Sequence, residues 1–443
     1  MQAKFLIPAA TLLSVLLTVV PSASGQLTFT TNLYSVGANP FAVAVADVNG
    51  DGKPDLISAN AGVGSLTVLT NNGDGIFGSN ATLNVGTVPV FVAAADINGD
   101  GKPDLISAND SSASGGSLTV LTNNGKGLFV LSATLTAAIA GPYCVAVADV
   151  NGDGKPDLIC ADSGDNLLTI FLGNGTGGFT PNSTIGVGNL PEYVVAADLN
   201  SDGEPDLVAA NFNDGTLSIL TNNGTGSFTA SMSTNIVVGT GVDSVQAVDV
   251  NGDGKLDLVC ATSQGITVLT NNGHASFALY ATINLASAAT SVAVTNFSGT
   301  GKMDIACAEN NNSVQIFTNN GSGGFGLNTT VSFTIPQKSL MTADVNGDGK
   351  PDLITANYTS PMLTVLTQGV PAGPLLKIIR PTINSLVISW ISSATNFVLQ
   401  TNNNLASTNW FPLNLPVAVS SGTNQSTALE PPPPGKLFFR LQN

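Results

Sequence analysis

The chain has 443 residues, of which only 9% are charged, yet its formal net charge is −16. Its length leaves room for two or three domains. It has no basic patch to replace phosphate counterions, and Arg380 and Arg440 are its only arginines, so nucleic acid is excluded as a partner. The acidity is local: 20 of the 29 acidic residues, nineteen Asp and Glu204, fall in seven short loops with six of the 13 basic residues.

Residues 1–25 read as a secretory signal. Lys4 supplies a positive start, an apolar stretch interrupted by Pro8 runs to Val20, and Ala23-Ser24-Gly25 offers small residues for cleavage before Gln26. The apolar run is shorter than the roughly 18 to 20 residues that a membrane span needs. The expectation is export, to the exterior or the cell surface, with no membrane insertion after cleavage.

A strand-like segment, Leu27 to Val36, comes next, and then a unit that recurs at intervals of 47 to 53 residues. In its first copy Phe41 to Ala46 is a short apolar run, followed by the loop Asp47-Val-Asn-Gly-Asp-Gly-Lys-Pro-Asp55. Leu56 to Ala59 leads out, Ser65 to Thr70 alternates with period two, Asn71-Asn72-Gly73 marks a hairpin, and Phe77 to Val85 gives a fourth strand. Each unit therefore predicts a four-stranded antiparallel meander. Such a period signals an array, a solenoid or a propeller. The seventh unit, Lys338 to Thr367, lacks a fourth strand, and the segment Leu27 to Val36 resembles the missing one. The prediction is a ring of seven blades locked by the N-terminal strand, which hides sheet edges. Phe77, Phe129, Phe179, Phe228, Phe277 and Phe325 recur at one position and read as filling between adjacent sheets.

Six loops carry the chemistry of a calcium cage. Positions 1, 3, 5 and 9 are Asp47, Asn49, Asp51 and Asp55; Asp96, Asn98, Asp100 and Asp104; Asp149, Asn151, Asp153 and Asp157; Asp198, Asn200, Asp202 and Asp206; Asp249, Asn251, Asp253 and Asp257; Asp344, Asn346, Asp348 and Asp352. Position 7, which can give a backbone carbonyl, is Lys53, Lys102, Lys155, Glu204, Lys255 or Lys350. Calcium takes six to eight hard oxygens, and short Asp and Asn side chains converge well from a tight turn. An Asx-rich turn without metal explains Asn and Gly, but not three carboxylates in nine residues. An EF-hand would need Glu at position 12, where these loops have Ser58, Ser107, Cys160, Ala209, Cys260 or Thr355. The seventh loop, Asn296-Phe-Ser-Gly-Thr-Gly-Lys-Met-Asp304, keeps one carboxylate and reads as metal-free or very weak.

The units resemble FG-GAP/VCBS repeats, the blades of integrin-α-like β-propellers. Phe77-Gly78 and Phe325-Gly326 stand as the "FG", and Gly37-Ala-Asn-Pro40, Gly86-Thr-Val-Pro89 and Gly188-Asn-Leu-Pro191 stand in the place of the "GAP". The resemblance covers residues 26–368. It implies an all-β seven-bladed propeller with calcium held by side chains 1, 3, 5 and 9 and the position-7 carbonyl.

No catalytic constellation is visible. His274 is the only histidine and stands at a turn position, so a Ser-His-Asp triad or a histidine-based zinc site is not expected. The leading expectation is a secreted, calcium-stabilised binding or adhesion scaffold for an extracellular protein or surface polymer. The alternatives are a calcium-dependent lectin and, behind it, a polysaccharide lyase or hydrolase. Tyr143 and Tyr193 stand on the strand before their loops, where Phe91 is the equivalent, and read as core. Cys160, Cys260 and Cys307 share one small slot and read as buried thiols, with a Cys144–Cys160 bridge as the alternative.

From Leu375 the composition changes. The Asp loops end, and Trp390 and Trp410 appear, both read as core. After a linker at 369–374, the strand-like segments Ser385 to Trp390, Phe397 to Gln400 and Leu437 to Leu441 predict a small β-sandwich-like domain over 375–443.

Overall fold

The computed structural model describes residues 26–369, apart from 112–114, 137–138 and 231–234, and beyond them only the backbone of strands between 377 and 442. The expected signal segment, residues 1–25, and the linker expected at 369–374, apart from Gly369, lie outside the described residues. The described elements are strands and turns, with no helix among them. Chain contacts define one compact unit over Phe29–Gln368 and group the flanking segments as another.

The unit over Phe29–Gln368 consists of seven antiparallel sheets, six of them following the chain from an inner strand outward. Blade one is Pro40–Ala46, Asp55–Asn60, Ser65–Asn71 and Phe77–Asn84. The inner strands of the other blades are Pro89–Ala95, Pro142–Ala148, Pro191–Ala197, Val242–Val248, Ala289–Thr295 and Gln337–Ala343. Each inner strand touches the next, and the seventh touches the first, so the ring closes. In blade four the outer strand is described as two pieces, Phe228–Ala230 and Ile236–Val237, both paired with Thr216–Asn222.

Burial explains why this sequence needs a ring. The second strand of every blade, such as Asp55–Asn60, is buried at all six positions. Successive strand residues face opposite ways, so both faces of each sheet must be covered. Neighbouring blades do this: Val43, Leu56, Leu69 and Phe77 of blade one pack with Val345, Ile354 and Val365 of blade seven. Phe129, Phe179, Phe228, Phe277 and Phe325 pack in the same way against the cores between their own blades and the preceding ones. Outer strands such as Phe77–Asn84 are mostly exposed.

Closure is as the strand count requires. Phe29–Ser35 pairs antiparallel with Met362–Gln368, from Phe29 opposite Gln368 to Ser35 opposite Met362, and supplies the fourth strand of blade seven.

All four cysteines are buried free thiols. The alternative Cys144–Cys160 bridge is not formed. Cys160 lies opposite Val145, and Cys144 lies opposite Ala161. Neighbouring register positions face opposite sides of a sheet, so the two sulfurs enter different interblade cores.

After Gln368, the described strands form two sheets. One has the order Ser385–Ile391 between Lys377–Thr382 and Thr423–Ala428, with Val417–Ser420 outermost; the other has Val398–Asn402 between Phe411–Pro412 and Phe438–Gln442. The side chains of Trp390 and Trp410 lie outside what is described.

Candidate functional site

Two ends of the inner strands carry chemistry. At the C-terminal end of each lies an aspartate loop. In the first, Asp47 caps its own turn: Oδ1 accepts from the N–H of Gly50 (2.8 Å) and Asp51 (3.1 Å), and Oδ2 accepts from Gly52 (2.7 Å). Asn49 Oδ1 accepts from Asp51 N–H, and Asp51 Oδ1 accepts from Lys53 N–H. Gly50 and Gly52 have φ of +77° and +81°, a region that favours glycine. The bond from the position-6 glycine to Oδ2 of the first aspartate recurs in the loops at Asp96, Asp149, Asp198, Asp249 and Asp344.

The ninth position behaves differently. Asp55 is fully buried, and its two oxygens accept from Val48 N–H (3.1 Å) and Asn71 N–H (2.8 Å). It thereby ties the loop to the end of the third strand. Asp104, Asp157, Asp206, Asp257 and Asp352 repeat the tie. Burial pushes the carboxyls of all six up, Asp352 to about 6, against the pull of the two amides. The eroded loop keeps this tie as well: Asp304 accepts from Ser298 N–H (2.7 Å) and Asn319 N–H (2.8 Å).

Positions 5 and 7 pair. Lys102 and Lys155 sit 3.1 Å from Asp100 and Asp153, Lys350 sits 3.3 Å from Asp348, and Lys53 and Lys255 reach Asp51 and Asp253 at 3.7 and 3.8 Å. Glu204 removes this cation in blade four, where Asn200 Nδ2 donates to Asp202 instead. Among the described residues, no three His, Cys, Asp or Glu side chains close around a common point. The loop carboxylates are turned onto their own backbone amides.

An asparagine at the end of the third strand links neighbouring loops, a role that sequence reading missed. Asn71 Nδ2 donates to Pro54 O in its own loop and to Val345 O in the loop of blade seven. Asn123, Asn222, Asn271 and Asn319 reach Val48, Val150, Leu199 and Val250 in the same way, and Gln368 reaches Phe297. The recurrent Thr-Asn-Asn-Gly motif contained the signal, but it reads as a turn rather than a link. Blade three has Gly173 at this position.

The other end of the inner strands forms the channel mouth. In every blade the pairing of first and second strands slips near its start, as between Pro40 and Ala42. Such bulges re-aim a side chain. The slipped residues include Phe41, Tyr143, Glu192, Asp243 and Lys338, which line a cavity of about 230 Å³. Tyr143 therefore differs from the core position expected for it: it shares the slipped position with Phe41, whereas Tyr193 shares Phe91's register. Phe41 meets Tyr143 and Tyr358 edge-on at 5.7 and 5.6 Å between centroids. Lys338 Nζ stands 3.3 Å from Asp243 and 5.1 Å from the centre of the Phe41 ring. Burial, then the neighbouring Asp243, pushes the Glu192 carboxyl up to about 7, while Lys338 opposes the rise.

The model of the FG-GAP-like repeat matches residues 47–107, 96–160, 149–209, 198–260, 249–304 and 296–355, and that of the FG-GAP repeat matches 338–373. The chain belongs to the FG-GAP repeat family. No curated protein matches its sequence. Among solved structures, the FG-GAP propeller is similar to BBS1N in complex with ARL6DN, at 14% identity over 80% of this chain and 99% of that one, with a TM-score of 0.56. It is also similar to Saccharomyces cerevisiae Sqt1, at 12% identity over 83% and 96% with a TM-score of 0.50. An Agrocybe aegerita lectin that recognises non-reducing terminal N-acetylglucosamine matches at 20% identity over 84% and 96%, with a TM-score of 0.48. Identities this low bear on the fold alone.

Proposed function

We propose that this protein is an exported, calcium-stabilised FG-GAP propeller that acts as a non-catalytic binding scaffold for a protein or surface polymer. The eroded loop carries the calcium reading. It keeps the ninth-position tie with Asn296, Ser298 and Thr300 at positions 1, 3 and 5, where the other loops have Asp, Asn and Asp, so a blade of this fold does not need those side chains to close. Six loops retain the carboxylates at positions 1 and 5; the position-7 lysine offsets one of them in five loops, and the like charges that remain repel unless a further cation sits among them. In the first loop Asp47, Asn49, Asp51 and Asp55, with the carbonyl of Lys53, would hold the ion. Calcium would neutralise the loop and hold the turn that joins the first and second strands.

At roughly 1 mM calcium and a dissociation constant of about 10⁻⁴ M, each site would add about 1.4 kcal/mol. Elemental analysis of the purified protein is expected to find close to one calcium per intact loop, and chelation is expected to lower the melting temperature. A calcium-free protein whose melting ignores chelator would overturn the metal reading. The scaffold reading draws on the mouth cavity and on the fold it shares with BBS1N, a propeller seen in complex with a protein. A glycan array with calcium present, set beside affinity capture from the protein's own surroundings, tests it. Selective glycan binding would replace the protein partner with a carbohydrate one, and turnover of a polysaccharide would overturn the scaffold reading.

A further inference from the structure

Glu192 poses an unsolved problem within the fold. It is only 9% exposed, and among the described residues no hydrogen bond or ion pair reaches its carboxylate. A buried charge without a partner is costly. On the next blade, Asp243 meets the same difficulty with a solution in view: Lys338 Nζ lies 3.3 Å away and rests against the Phe41 ring. A carboxylate on one side and an aromatic face on the other is how proteins hold an organic cation. Glu192 lines the same cavity, beside Tyr143 and Tyr193, without a cation of its own. Asp110 adds a further negative charge nearby. Lys338 offsets Asp243, whereas Glu192 has no such partner among the described residues, so a positive guest beside it would favour the ionised form that burial opposes, which a neutral guest would not.

We propose that the channel mouth is a binding site for an organic ammonium or guanidinium group, with Glu192 as its counter-ion. The cation comes from a free amine or from a Lys or Arg side chain of a partner protein. The aspartate loops lie at the opposite end of the inner strands, so this site stands independently of the calcium reading.

Titration calorimetry on the calcium-loaded full chain tests the proposal, with n-butylammonium and n-butylguanidinium as probes. Butan-1-ol and methyl glucoside serve as neutral controls, and a short lysine-containing peptide serves as the partner-like source. The cations are expected to bind at least tenfold more tightly than either control. Glu192→Gln is expected to lower their affinity tenfold or more. Lys338→Met, which frees Asp243, is expected to raise it. A peptide tighter than butylammonium points to a protein partner, and a weaker one points to a free amine. Equal binding of butan-1-ol, preference for the glucoside, no binding of either cation, or unchanged affinity in Glu192→Gln would overturn the proposal. Should Glu192→Gln fail to fold, an affinity that does not rise in Lys338→Met overturns it alone. Melting with and without chelator on the same samples separates this failure from failure of the calcium reading.

Discussion

Within one loop, four acidic or amide residues divide into two jobs. The ninth-position aspartate satisfies two buried N–H groups and is present in all seven blades, including the one without the other carboxylates. Removing it strands buried donors, at about 1 to 3 kcal/mol each. Asp304→Ala is therefore expected to cost about 2 to 5 kcal/mol, by denaturant melts, equally with calcium and with chelator. Asp51→Ala should differ: it touches an exposed turn, so its cost of about 1.4 kcal/mol is expected in calcium alone. Equal losses from Asp51→Ala in both buffers would mean that position 5 serves the fold and not an ion. Glu192 gives a pH signature. Its folded carboxyl is raised from 4.5 to about 7 by burial, then by Asp243. The folded state thus prefers the protonated form. That stabilisation is complete below about pH 4.5 and is lost as pH rises through 7. Glu192→Gln is expected to melt like the parent at pH 4.5 and several degrees higher at pH 8, a gap of up to about 3 kcal/mol. Parallel curves across that range would refute the buried-carboxylate account.

At the scale of elements, the blade is a unit that cannot stand alone. Its second strand is buried on both faces only because other blades flank it. The asparagine links add a polar layer to this apolar one: Asn271 joins Leu256 in its own loop to Leu199 in the loop of blade four, and also caps the turn at Gly273. Asn271→Ala removes all three bonds. Its expected cost is about 2 to 4 kcal/mol, together with weaker calcium retention by the loop at Asp198, read as about one ion fewer after dialysis. Loss of stability with full retention would show the neighbouring loop to be uncoupled. Gly173 cannot simply be made asparagine, because a Cβ there would collide with the Pro156 carbonyl oxygen. Strand periodicity, the Asn-Gly turns and the recurring Phe made the blades legible in the sequence, because each is a local consequence of backbone geometry. The asparagine links, the staple role of the ninth aspartate and the gathering of Phe41, Tyr143, Glu192, Asp243 and Lys338 were not legible. The asparagine links join residues 69 or more apart in the chain, the ninth aspartate reaches amides at both sides of a hairpin that only folding brings together, and the gathering at the inner strands depends on a strand slip that leaves no mark in composition.

The whole molecule depends on one long-range pairing. Every other blade draws its four strands from consecutive sequence, but blade seven takes its outer strand from the N-terminal end. The join between the first and seventh blades therefore has a hydrogen-bonded part, Phe29–Ser35 against Met362–Gln368, and an apolar part, the core that Phe77 and Val43 share with Ile354 and Val365. Tyr34 bridges the two, with its ring edge-on to Phe77 at 5.1 Å and its hydroxyl donating to Gly75 O at 2.8 Å. Without the N-terminal strand, Met362–Gln368 would be an unpaired edge, a template for another chain. A protein lacking residues 26–36 is expected to associate by sedimentation and to melt at a lower temperature over a broader range. Adding a synthetic peptide of residues 26–36 is expected to restore the monomer by filling the vacant edge, because the pairing carries its own register through seven consecutive residues. The apolar core alone cannot supply that effect. A truncated protein that remains monomeric and melts as the parent does would show that interblade packing closes the ring unaided.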